Sequence, residues 1–527
     1  MRFKKIIRIY STLKFIKIVQ LYRRLIIKFN KIGLKFFYKK LQSNSPELYK
    51  LNSYNISDNK FDNNLFIFDI KFDTFNINWN DETKNKLWNY HLHYFDYLEH
   101  FNKDTGIALI HNWINSNPPG EVISWEPYPI SLRIVNWIKF ISQYSVKEKK
   151  IFDSLFIQGI WLFKQREYRL LTNHLFKNIV ALLYLGFLFD KKKWKDWSLK
   201  ELVKQIQEQF TDEGYHYEFS PTYHALFIKD LLDIYNIIKS NSEEFYSRLL
   251  IEISDKIKKG LYWLNYFSDY EKYLPINDVN YEGCPKPSSL IKYASNLGIK
   301  EKITTDQTIS NYYPKLENED LKIMMYCAPI SPSYNPAHSH ADILSILLWD
   351  NNNPILIETG NYDYEESKER KYARSTIAHN TIVIDNENQC DLWKVFRIGR
   401  RGKPFNKKIT EGSIQCSHNF YNDKNIIHQR KIDKKDNGFL IKDYLFGNGF
   451  HKYEMYFHFA PELVIKKKND SVIINDEIAF NFSCDRIEII DTPYFPKIYV
   501  RKKKQTIKIR GEFENNKTII TTITKIK

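Results

Sequence analysis

The feature that most constrains the fold of this chain is a change in hydrophobic pattern near residue 320. Before it, apolar residues recur with a period near 3.6 in a series of stretches, of which the clearest are 151–165, 173–189, 199–210, 223–240 and 244–267. No strand-like run lies between these stretches, although the connector near residues 65–72 contains short β-like pieces. From residue 321 onward, short runs rich in Ile, Val, Phe and Tyr alternate with turns of Asn, Asp, Gly and Lys. The first pattern is typical of helices and the second of antiparallel strands. We therefore predict an all-α domain of stacked helical hairpins followed by an antiparallel β-sandwich.

Shifts in composition divide the 527 residues into four segments. A basic amphipathic segment covers residues 1–45, and a connector rich in Asn, Asp and Ser covers residues 46–84. The helical domain is expected over residues 85–312 and the β-sandwich over residues 320–527. Within the sandwich, the clearest strand candidates are 382–384, 439–444, 453–459, 471–480 and 506–524.

Positive charge is concentrated at the N-terminus. The formal net charge is +17, and residues 1–40 contain 13 Lys and Arg and no acid, so 17 − 13 leaves only +4 for the rest. A nearly balanced body does not favour a nucleic-acid partner. Five scattered cysteines without a C-x-x-C pair argue against a disulfide framework and a cysteine zinc site. No P-loop, dinucleotide-binding or G-x-S-x-G pattern is present, so we expect no organic cofactor.

The basic segment has a helical pattern with two interpretations. Lys14, Lys17, Arg23 and Arg24 interrupt every apolar run before it reaches membrane-spanning length, and no signal-peptide pattern is recognised. One interpretation is peripheral contact of residues 1–40 with an anionic membrane surface; the other is a helix packed onto the helical domain with its basic face in water. We expect a cytoplasmic or membrane-peripheral protein, with a periplasmic location left open, and a segment that is dispensable for the fold.

Residues able to do chemistry are densest in the first part of the predicted sandwich. His338, His340 and Asp342 alternate in N-P-A-H-S-H-A-D. Because alternate residues of a strand share a face, we expect these three side chains to point the same way. The runs 343–349 and 354–357 are predicted to pair as a hairpin around an Asn-rich turn.

The return strand of this hairpin carries Glu358 back towards the start of the first strand. His379 lies just before another predicted strand. Two imidazoles and one carboxylate brought together in this way suit a zinc ion. The alternative is a hydrogen-bonded polar cluster at one end of the sheet.

Two helix starts in the predicted all-α domain also carry polar side chains. T-N-H-L-F-K-N, residues 172–178, opens an apolar helix, where its polar groups can cap the free N–H groups. In E-F-S-P-T-Y-H, Ser220 suits an N-cap and Pro221 the first helical position, which places Tyr223 in the first turn. The positive end of a helix favours a tyrosinate, so Tyr223 is a candidate base; a buried aromatic is the alternative.

These motifs, in this order, resemble the heparinase II/III family of polysaccharide lyases. H-S-H-A-D, E-T-G and R-S-T-I-A-H-N-T-I-V-I-D are similar to the family's C-terminal domain. W-E-P-Y-P, T-N-H and S-P-T-Y-H are similar to its N-terminal part and to alginate-lyase-like proteins. The resemblance covers roughly residues 85–400. It implies that the helical domain is an (α/α) toroid and that the sandwich is the heparinase II/III-like C-terminal domain.

The resemblance also implies catalytic roles for single residues. Asn173 and His174 would hydrogen-bond the carboxylate of the substrate. Tyr223 would be the general base, the general acid or both, and His338 would be the catalytic histidine. Many relatives place an acid where this chain has Lys177.

A divalent metal is implied by the same resemblance. His340, Glu358 and His379 would hold it, with zinc as the expected ion and a structural role. Relatives more often have Asp where this chain has Glu358.

Four further residues are candidate contacts to the substrate. Asn277 and Asp278, in a P-I-N-D-V-N loop that resembles a cleft loop of the family, would bind sugar hydroxyls, although Asn-Asp pairs also form turns. Arg374 and Arg397 are candidates for binding carboxylates or sulfates. For the F-R-I-G-R-R run around Arg397, a solvated basic turn is the alternative.

These residues suit β-elimination from a uronic acid, which carries a C5 proton beside a carboxylate and a leaving oxygen at C4. Removing the proton makes a dianionic enolate, so the carboxylate must first be neutralised. One of Tyr223 and His338 would take the proton and the other would protonate the leaving oxygen. We expect a polysaccharide lyase whose partner is an acidic polysaccharide or oligosaccharide. The alternatives are a uronyl C5-epimerase on the same scaffold and a non-catalytic acidic-glycan-binding protein of surface-polysaccharide metabolism.

Overall fold

A computed structural model of the chain describes residues 2–26, 64–68, 70–73, 77–120, 122–242, 244–269, 271–300, 310–468, 471–483 and 486–526. A helical domain precedes a β-rich domain, and each has its own apolar core. The predicted order of an all-α domain and an antiparallel β domain is confirmed. The part of the predicted connector at 46–63 lies outside the described residues.

Helices make up the first domain. After an N-terminal helix, α1 (Arg2–Leu13), the described helices are α2 (Lys86–Tyr94), α3 (Lys103–Ser116), α4 (Pro127–Gln143), α5 (Lys149–Lys164), α6 (Thr172–Leu188), α7 (Lys192–Gln209), α8 (Pro221–Ser242), α9 (Ser247–Tyr266) and α10 (Pro287–Asn296). Helix α6 is apolar on nearly all sides and is buried, as this pattern predicts. Helices α4, α5, α7 and α8 pack around it. The start of α6 therefore lies in the middle of the helical domain.

Antiparallel strands make up the second domain, with one short helix, α11 (Lys368–Arg374). Four short strands precede it: β1 (Asn64–Ile67), β2 (Ile70–Asp73), β3 (Ser268–Asp269) and β4 (Lys272–Tyr273). The strands of the second domain are β5 (Lys315–Glu317), β6 (Leu321–Met325), β7 (Ile346–Asp350), β8 (Asn353–Leu356), β9 (Ile382–Ile384), β10 (Leu392–Trp393), β11 (Arg397–Ile398), β12 (Pro404–Ile409), β13 (Ser413–Tyr421), β14 (Ile426–Lys435), β15 (Gly438–His458), β16 (Ile465–Lys468), β17 (Ser471–Ile474), β18 (Ile478–Phe482), β19 (Arg486–Lys497) and β20 (Val500–Lys525).

Two sheets enclose the second core. One sheet has the order β5-β6-β7-β8, and the main path of the larger one is β12-β13-β14-β15-β20-β18-β17-β16. Apolar residues of both sheets meet in one cluster, as in a sandwich. The predicted strands 439–444 and 453–459 are one long strand, β15, whereas the predicted strand 471–480 is broken by a turn. That turn contains Asn475 and Asp476, which both adopt positive φ angles.

The H-S-H-A-D segment is not a strand, contrary to prediction. Residues 338–345 form bends and turns, and Leu344 has a φ of 62°. The hairpin itself is present, with β7 paired to β8, but its first strand begins at Ile346. The segment before this strand lacks strand geometry, so its alternate side chains need not share one face. His338 and His340 both contact Asp278, but Asp342 does not, so the expectation that all three point the same way is wrong for Asp342.

The N-terminal segment lies against both domains and makes polar contacts with each. It comprises α1 and the helical residues 18–26. Arg8 pairs with Asp391 of the β-rich domain and Lys17 with Glu208 of the helical domain. The expectation of a packed helix with its basic face in water holds only in part for these two cations, because each is partly exposed and also paired with a carboxylate of the protein. Among the described helices, none has the length and apolar character needed to cross a membrane.

Candidate active site

Tyr223 and His338 meet where the two domains touch. Tyr223 lies in the first turn of α8, whose N-terminus is capped as predicted: Ser220 Oγ accepts from the Tyr223 backbone N–H at 3.4 Å. The phenol ring stacks on the His338 imidazole, with ring centroids 3.8 Å apart and planes 26° apart. The two domains thus each contribute one catalytic candidate, and the two side chains are in direct contact.

Asp278 fixes the His338 imidazole through a contact with its Nδ1 atom. Its carboxylate is completely buried and contacts His338 Nδ1 at 2.9 Å and His340 Nε2 at 2.8 Å. Arg370, from α11, donates to both carboxylate oxygens. Burial opposes ionisation of Asp278, but Arg370 and the hydrogen bonds from both histidines outweigh it and hold its pKa well below the ordinary value. Asp278 is therefore an anion that fixes the orientation of His338.

This arrangement corrects the expected role of the P-I-N-D-V-N loop. Asn277 is buried; its side chain accepts from the His340 backbone N–H at 2.9 Å and donates to the Phe219 carbonyl at 2.9 Å. Asn277 and Asp278 are thus occupied by protein groups and are not free to bind sugar hydroxyls. Asn277 also has a φ of 57°, a strained conformation that Asn tolerates.

The two arginines expected to bind the substrate differ in position. Arg374 is buried and donates to the carbonyls of Ser339 and Val395, so it supports the backbone of the H-S-H segment and is not a substrate clamp. Arg397 is half-buried next to Phe396, whose ring lies 6.4 Å from His338. Burial and the nearby Arg24 both lower the pKa of Arg397. Only Arg397 keeps a position at the rim of the site.

Asn173 and His174 open α6, as predicted, and each contacts a carboxylate. Asn173 Nδ2 lies 3.0 and 3.1 Å from the two carboxylate oxygens of Glu218, and His174 Nδ1 lies 3.1 Å from Glu167. Burial opposes ionisation of Glu167, but the charge and hydrogen bond of His174 prevail and lower its pKa. Because Glu167 contacts Nδ1 of His174, only Nε2 of this imidazole is available to a ligand.

Tyr128 connects this pair to Tyr223. Its ring lies 4.6 Å from the His174 ring, and its phenol is close enough to Tyr223 to contribute to the raised pKa of that residue. The backbone at the start of α6 is strained, with φ angles of 62° at Leu171 and 52° at Thr172. Non-glycine residues adopt such angles at a cost, and they concentrate at functional sites.

The ionisation of Tyr223 differs from the expectation. The helix N-terminus predicts a tyrosinate, but burial, Tyr364 and Asp278 raise the Tyr223 pKa well above its ordinary value. The nearest side-chain hydrogen bond of its hydroxyl is to Tyr364, at 3.4 Å. Because these effects outweigh the helix terminus, Tyr223 is a neutral phenol that can give up a proton to a strong base.

Sequence reasoning missed several residues of this site. Arg370, Tyr364, Tyr128 and Glu218 all contact a predicted site residue. Tyr128 and Glu218 stand within motifs that were recognised, and position next to a motif residue is the signal that could have identified them. Nothing in the sequence connects Arg370 with Asp278, because 92 positions separate them.

The predicted metal ligands are close together but only partly suited to a metal. The rings of His340 and His379 lie 5.4 Å apart, and His340 Nδ1 and His379 Nε2 are buried without a hydrogen-bond partner. Burial also lowers the His340 pKa to about 3, which keeps it neutral as a ligand must be. Glu358, however, contacts Ser345 and the other nitrogen of His379. The described residues contain no set of three His, Cys, Asp or Glu side chains arranged to hold a metal.

The glycine of the E-T-G motif has a clear structural reason. Gly360 has a φ of 83°, and a Cβ atom there would come within 2.1 Å of the Phe495 carbonyl oxygen. Glycine allows the chain after Glu358 to pass β19 at this distance. The motif therefore positions Glu358 through the backbone.

Comparison with known proteins identifies similar sequences in both domains. The family description Heparinase II/III N-terminus matches residues 49–278, and Heparinase II/III-like, C-terminal, matches residues 310–522. A heparin-sulfate lyase of Bacteroides stercoris is 20% identical over 361 residues, which are 64% of this chain and 52% of that protein. The chain thus spans about half the length of this curated relative.

Solved structures show the same fold. A heparinase III structure is similar with a TM-score of 0.68 and 16% identity, covering 97% of this chain and 85% of that one. A heparan sulfate lyase of Pedobacter heparinus gives a TM-score of 0.55 and 14% identity, covering 96% and 88%. At these identities the likeness establishes the architecture, and it agrees with the predicted helical toroid followed by a β-sandwich.

Proposed function

This chain belongs to the heparinase II/III family, and on that premise we propose that it is a polysaccharide lyase. It would cleave a uronic-acid-containing polysaccharide by β-elimination, removing the C5 proton and expelling the oxygen at C4. The observation that carries this proposal is the contact of Tyr223 with His338, held by the buried Asp278. It provides a neutral acid and an imidazole in contact at the junction of the two domains.

The substrate carboxylate would be met by Asn173 and His174. Each is held by a carboxylate of the protein, Glu218 and Glu167, which fixes its orientation before the substrate arrives. A protonated His174 donates from Nδ1 to Glu167 and has Nε2–H left to donate to the substrate carboxylate. Hydrogen bonds that are in place before reaction stabilise the developing enolate without reorganisation.

His338 is the base in this scheme and Tyr223 the acid. Asp278 contacts His338 Nδ1, so Nε2 is the nitrogen left to take the C5 proton, and the carboxylate stabilises the imidazolium that forms. Tyr223, a neutral phenol with a raised pKa, gives its proton to the departing C4 oxygen. This assigns the two roles that the sequence leaves open.

The same geometry argues against the epimerase alternative. An epimerase returns a proton to the face of the sugar opposite to the one from which it was taken. Rings with centroids 3.8 Å apart are in van der Waals contact and cannot admit a sugar between them. Both groups therefore reach one face, which suits elimination.

We also propose that His340 and His379 supply two of the ligands of a structural zinc ion. Their free, buried ring nitrogens support this, and Glu358 would orient His379 through the other nitrogen. A bound zinc ion would tie the H-S-H segment to the A-H-N-T segment. Plasma mass spectrometry should find zinc in the purified protein and less of it in His379→Ala; a wild-type protein purified without chelator that contains no zinc would contradict this proposal.

The central test of the lyase proposal is Tyr223→Phe. Loss of general-acid catalysis should lower kcat by about 10²–10⁴-fold, while binding of the acidic polysaccharide changes little because only proton transfer is lost. Turnover is measured as the absorbance of the new unsaturated uronate, and binding by calorimetry. Tyr184→Phe, a buried tyrosine of α6 whose hydroxyl donates to the Asp233 carbonyl, is the matched control. Full activity of Tyr223→Phe would leave only the glycan-binding alternative.

A further inference from the structure

The N-terminal segment exposes an unusual number of large apolar side chains. In the described chain, nine of the seventeen exposed large hydrophobic residues lie within positions 6–25. Ile18 is 85% exposed, Tyr10 68% and Leu25 66%. The full set is Ile6, Ile7, Ile9, Tyr10, Leu13, Ile18, Leu21, Tyr22 and Leu25. We name residues 6–25 the N-terminal strap.

The opposite side of the strap is fastened to the protein by polar contacts. Its partners in the β-rich domain are Asp391 and Trp393. Arg8 forms two hydrogen bonds with Asp391 at 2.7 and 2.8 Å, and Thr12 Oγ accepts from Trp393 Nε1 at 3.1 Å. Lys17 pairs with Glu208 and lies over the ring of Tyr334. The strap thus runs from one domain to the other.

Farther along, the strap reaches the loop before α6. Gln20 is buried and donates to the Arg169 carbonyl, and the guanidinium of Arg23 lies 4.7 Å from the Tyr168 ring centroid. These contacts fix which side of the strap faces the protein. The inward side thus includes the polar groups of Thr12, Lys17 and Gln20 together with Val19, which packs against the helical core. The nine large apolar side chains named above face outward, where an ordinary surface helix carries polar residues.

We infer that the outward side of the strap docks onto an anionic membrane surface. Apolar side chains that a helix turns away from its own protein need another apolar partner, and a lipid interface accepts isolated Ile, Leu and Tyr side chains. The charge of the segment is complementary to acidic lipids, since residues 1–40 contain 13 Lys and Arg and no acid. An interfacial helix of this kind lies in the plane of the membrane and does not span it.

The strap also lies close to the cleft. Tyr334, which contacts Lys17, stands four residues before His338, and Arg24 is near enough to Arg397 to lower the pKa of that rim residue. Docking through the strap would therefore hold the proposed cleft next to the membrane, where a membrane-attached glycan is presented to it. This location goes beyond the proposed lyase function and does not depend on it.

The test uses the full-length protein and vesicles of phosphatidylcholine, with and without phosphatidylglycerol. Wild type should co-sediment with the anionic vesicles at low salt and less with the neutral ones. The triple variant Ile18→Gln, Leu21→Gln, Leu25→Gln removes apolar area that is already in water, so its unfolding temperature should not fall. Its affinity for anionic vesicles should fall at least about tenfold, because the apolar contacts with lipid are lost.

The matched control is Phe245→Gln with Ile251→Gln, which removes two exposed apolar side chains outside the strap. It should bind vesicles like wild type. Equal vesicle binding by the triple variant and wild type would overturn the inference. The inference would also be overturned if the wild type did not bind vesicles but formed dimers that the triple variant could not form. The strap would then dock onto a second copy of the chain.

Discussion

Asp278 contacts both histidines of the H-S-H motif, so its charge and acceptor atoms decide which nitrogen of His338 is free to react. Replacing it by Asn keeps the shape but removes the charge and puts an N–H where an acceptor was. An imidazole that bonds to that N–H presents the wrong tautomer to the substrate. In a Ser-His-Asp triad, the same change next to the catalytic histidine lowers kcat by about 10⁴-fold.

For Asp278→Asn we therefore expect kcat to fall by about 10²–10⁴-fold with KM nearly unchanged. The unchanged KM is the important readout, because Asp278 is completely buried and does not face the substrate. A merely destabilising change would instead lower the active fraction, which thermal unfolding and active-site titration would reveal. A variant that retains wild-type kcat would show that Asp278 does not position His338.

Single residues of the site were predictable where a motif contained them. Asn173, His174, Tyr223 and His338 all lie at element ends or in loops, as the sequence indicates. The role of Asp278 was mistaken for substrate binding because its partners are 60 and 62 positions away and cannot be read from local pattern. The neutral state of Tyr223 was missed for the same reason: burial and neighbouring groups decide its pKa, and both depend on tertiary structure.

At the level of helices, a second buried carboxylate links three elements of the toroid. Asp233 of α8 accepts from Lys139 of α4 at 2.6 Å, from Lys229 of α8 at 2.9 Å and from the hydroxyl of Tyr293 of α10 at 3.0 Å. Burial opposes ionisation of Asp233, but the two lysines outweigh it and hold its pKa below the ordinary value. This ionised hub stabilises the packing of α4, α8 and α10.

Asp233→Asn should therefore lower the free energy of unfolding at neutral pH by about 3–5 kcal/mol, because two lysines lose their partner. The pH dependence has a definite sign. A carboxylate with a lowered folded pKa contributes stability that is complete above its unfolded pKa of about 3.9 and is lost as the pH falls below it.

Wild type and Asp233→Asn should thus differ most near neutral pH and converge in acid, as urea unfolding at several pH values would show. Asp190→Asn, which removes the partner of Lys195 in an exposed ion pair, should change little at any pH. A difference between Asp233→Asn and wild type that stays constant into acid would contradict the role assigned to the Asp233 charge.

Helices and strands were predictable from the sequence where a single hydrophobic period runs through the whole element. The starts and ends of α5, α6 and α8 follow the apolar pattern to within a few residues, whereas α7 begins seven residues before its predicted start. The pattern failed for the segment before β7, because His338 and His340 alternate there to reach Asp278 and do not line one face of a strand. Long strands such as β15 also continue through polar residues when both neighbours are strands.

For the whole molecule, the strap changes an expectation about truncation. The basic segment was expected to be dispensable for the fold, but Arg8, Thr12 and Lys17 tie it to both domains. Deleting residues 1–26 should lower the unfolding temperature by only about 1–2 °C, since the two exposed ion pairs contribute about 0–1 kcal/mol each and little core is lost. Differential scanning calorimetry measures this, and an unchanged unfolding temperature would show that the strap contributes nothing to stability.

The junction of the two domains also predicts which uronic acids are substrates. The toroid contributes Tyr223 and the β-rich domain contributes His338, and their rings stack with centroids 3.8 Å apart. In the proposed lyase reaction, base and acid would therefore act on one face of the sugar. Elimination from one face requires the C5 hydrogen and the C4 oxygen to lie on the same side of the ring, as in 4-linked glucuronate and mannuronate.

In 4-linked iduronate, guluronate and galacturonate, these two groups lie on opposite sides. We expect the protein to form unsaturated product from at least one polymer of the first group and to leave the second group intact, because a near-attack geometry is worth several powers of ten in rate. The measurement is product absorbance with defined oligosaccharides that differ only at C5, such as paired glucuronate and iduronate substrates. Cleavage of the iduronate member with the glucuronate member left intact would show that acid and base act from opposite faces, and that the stacked pair separates around the substrate.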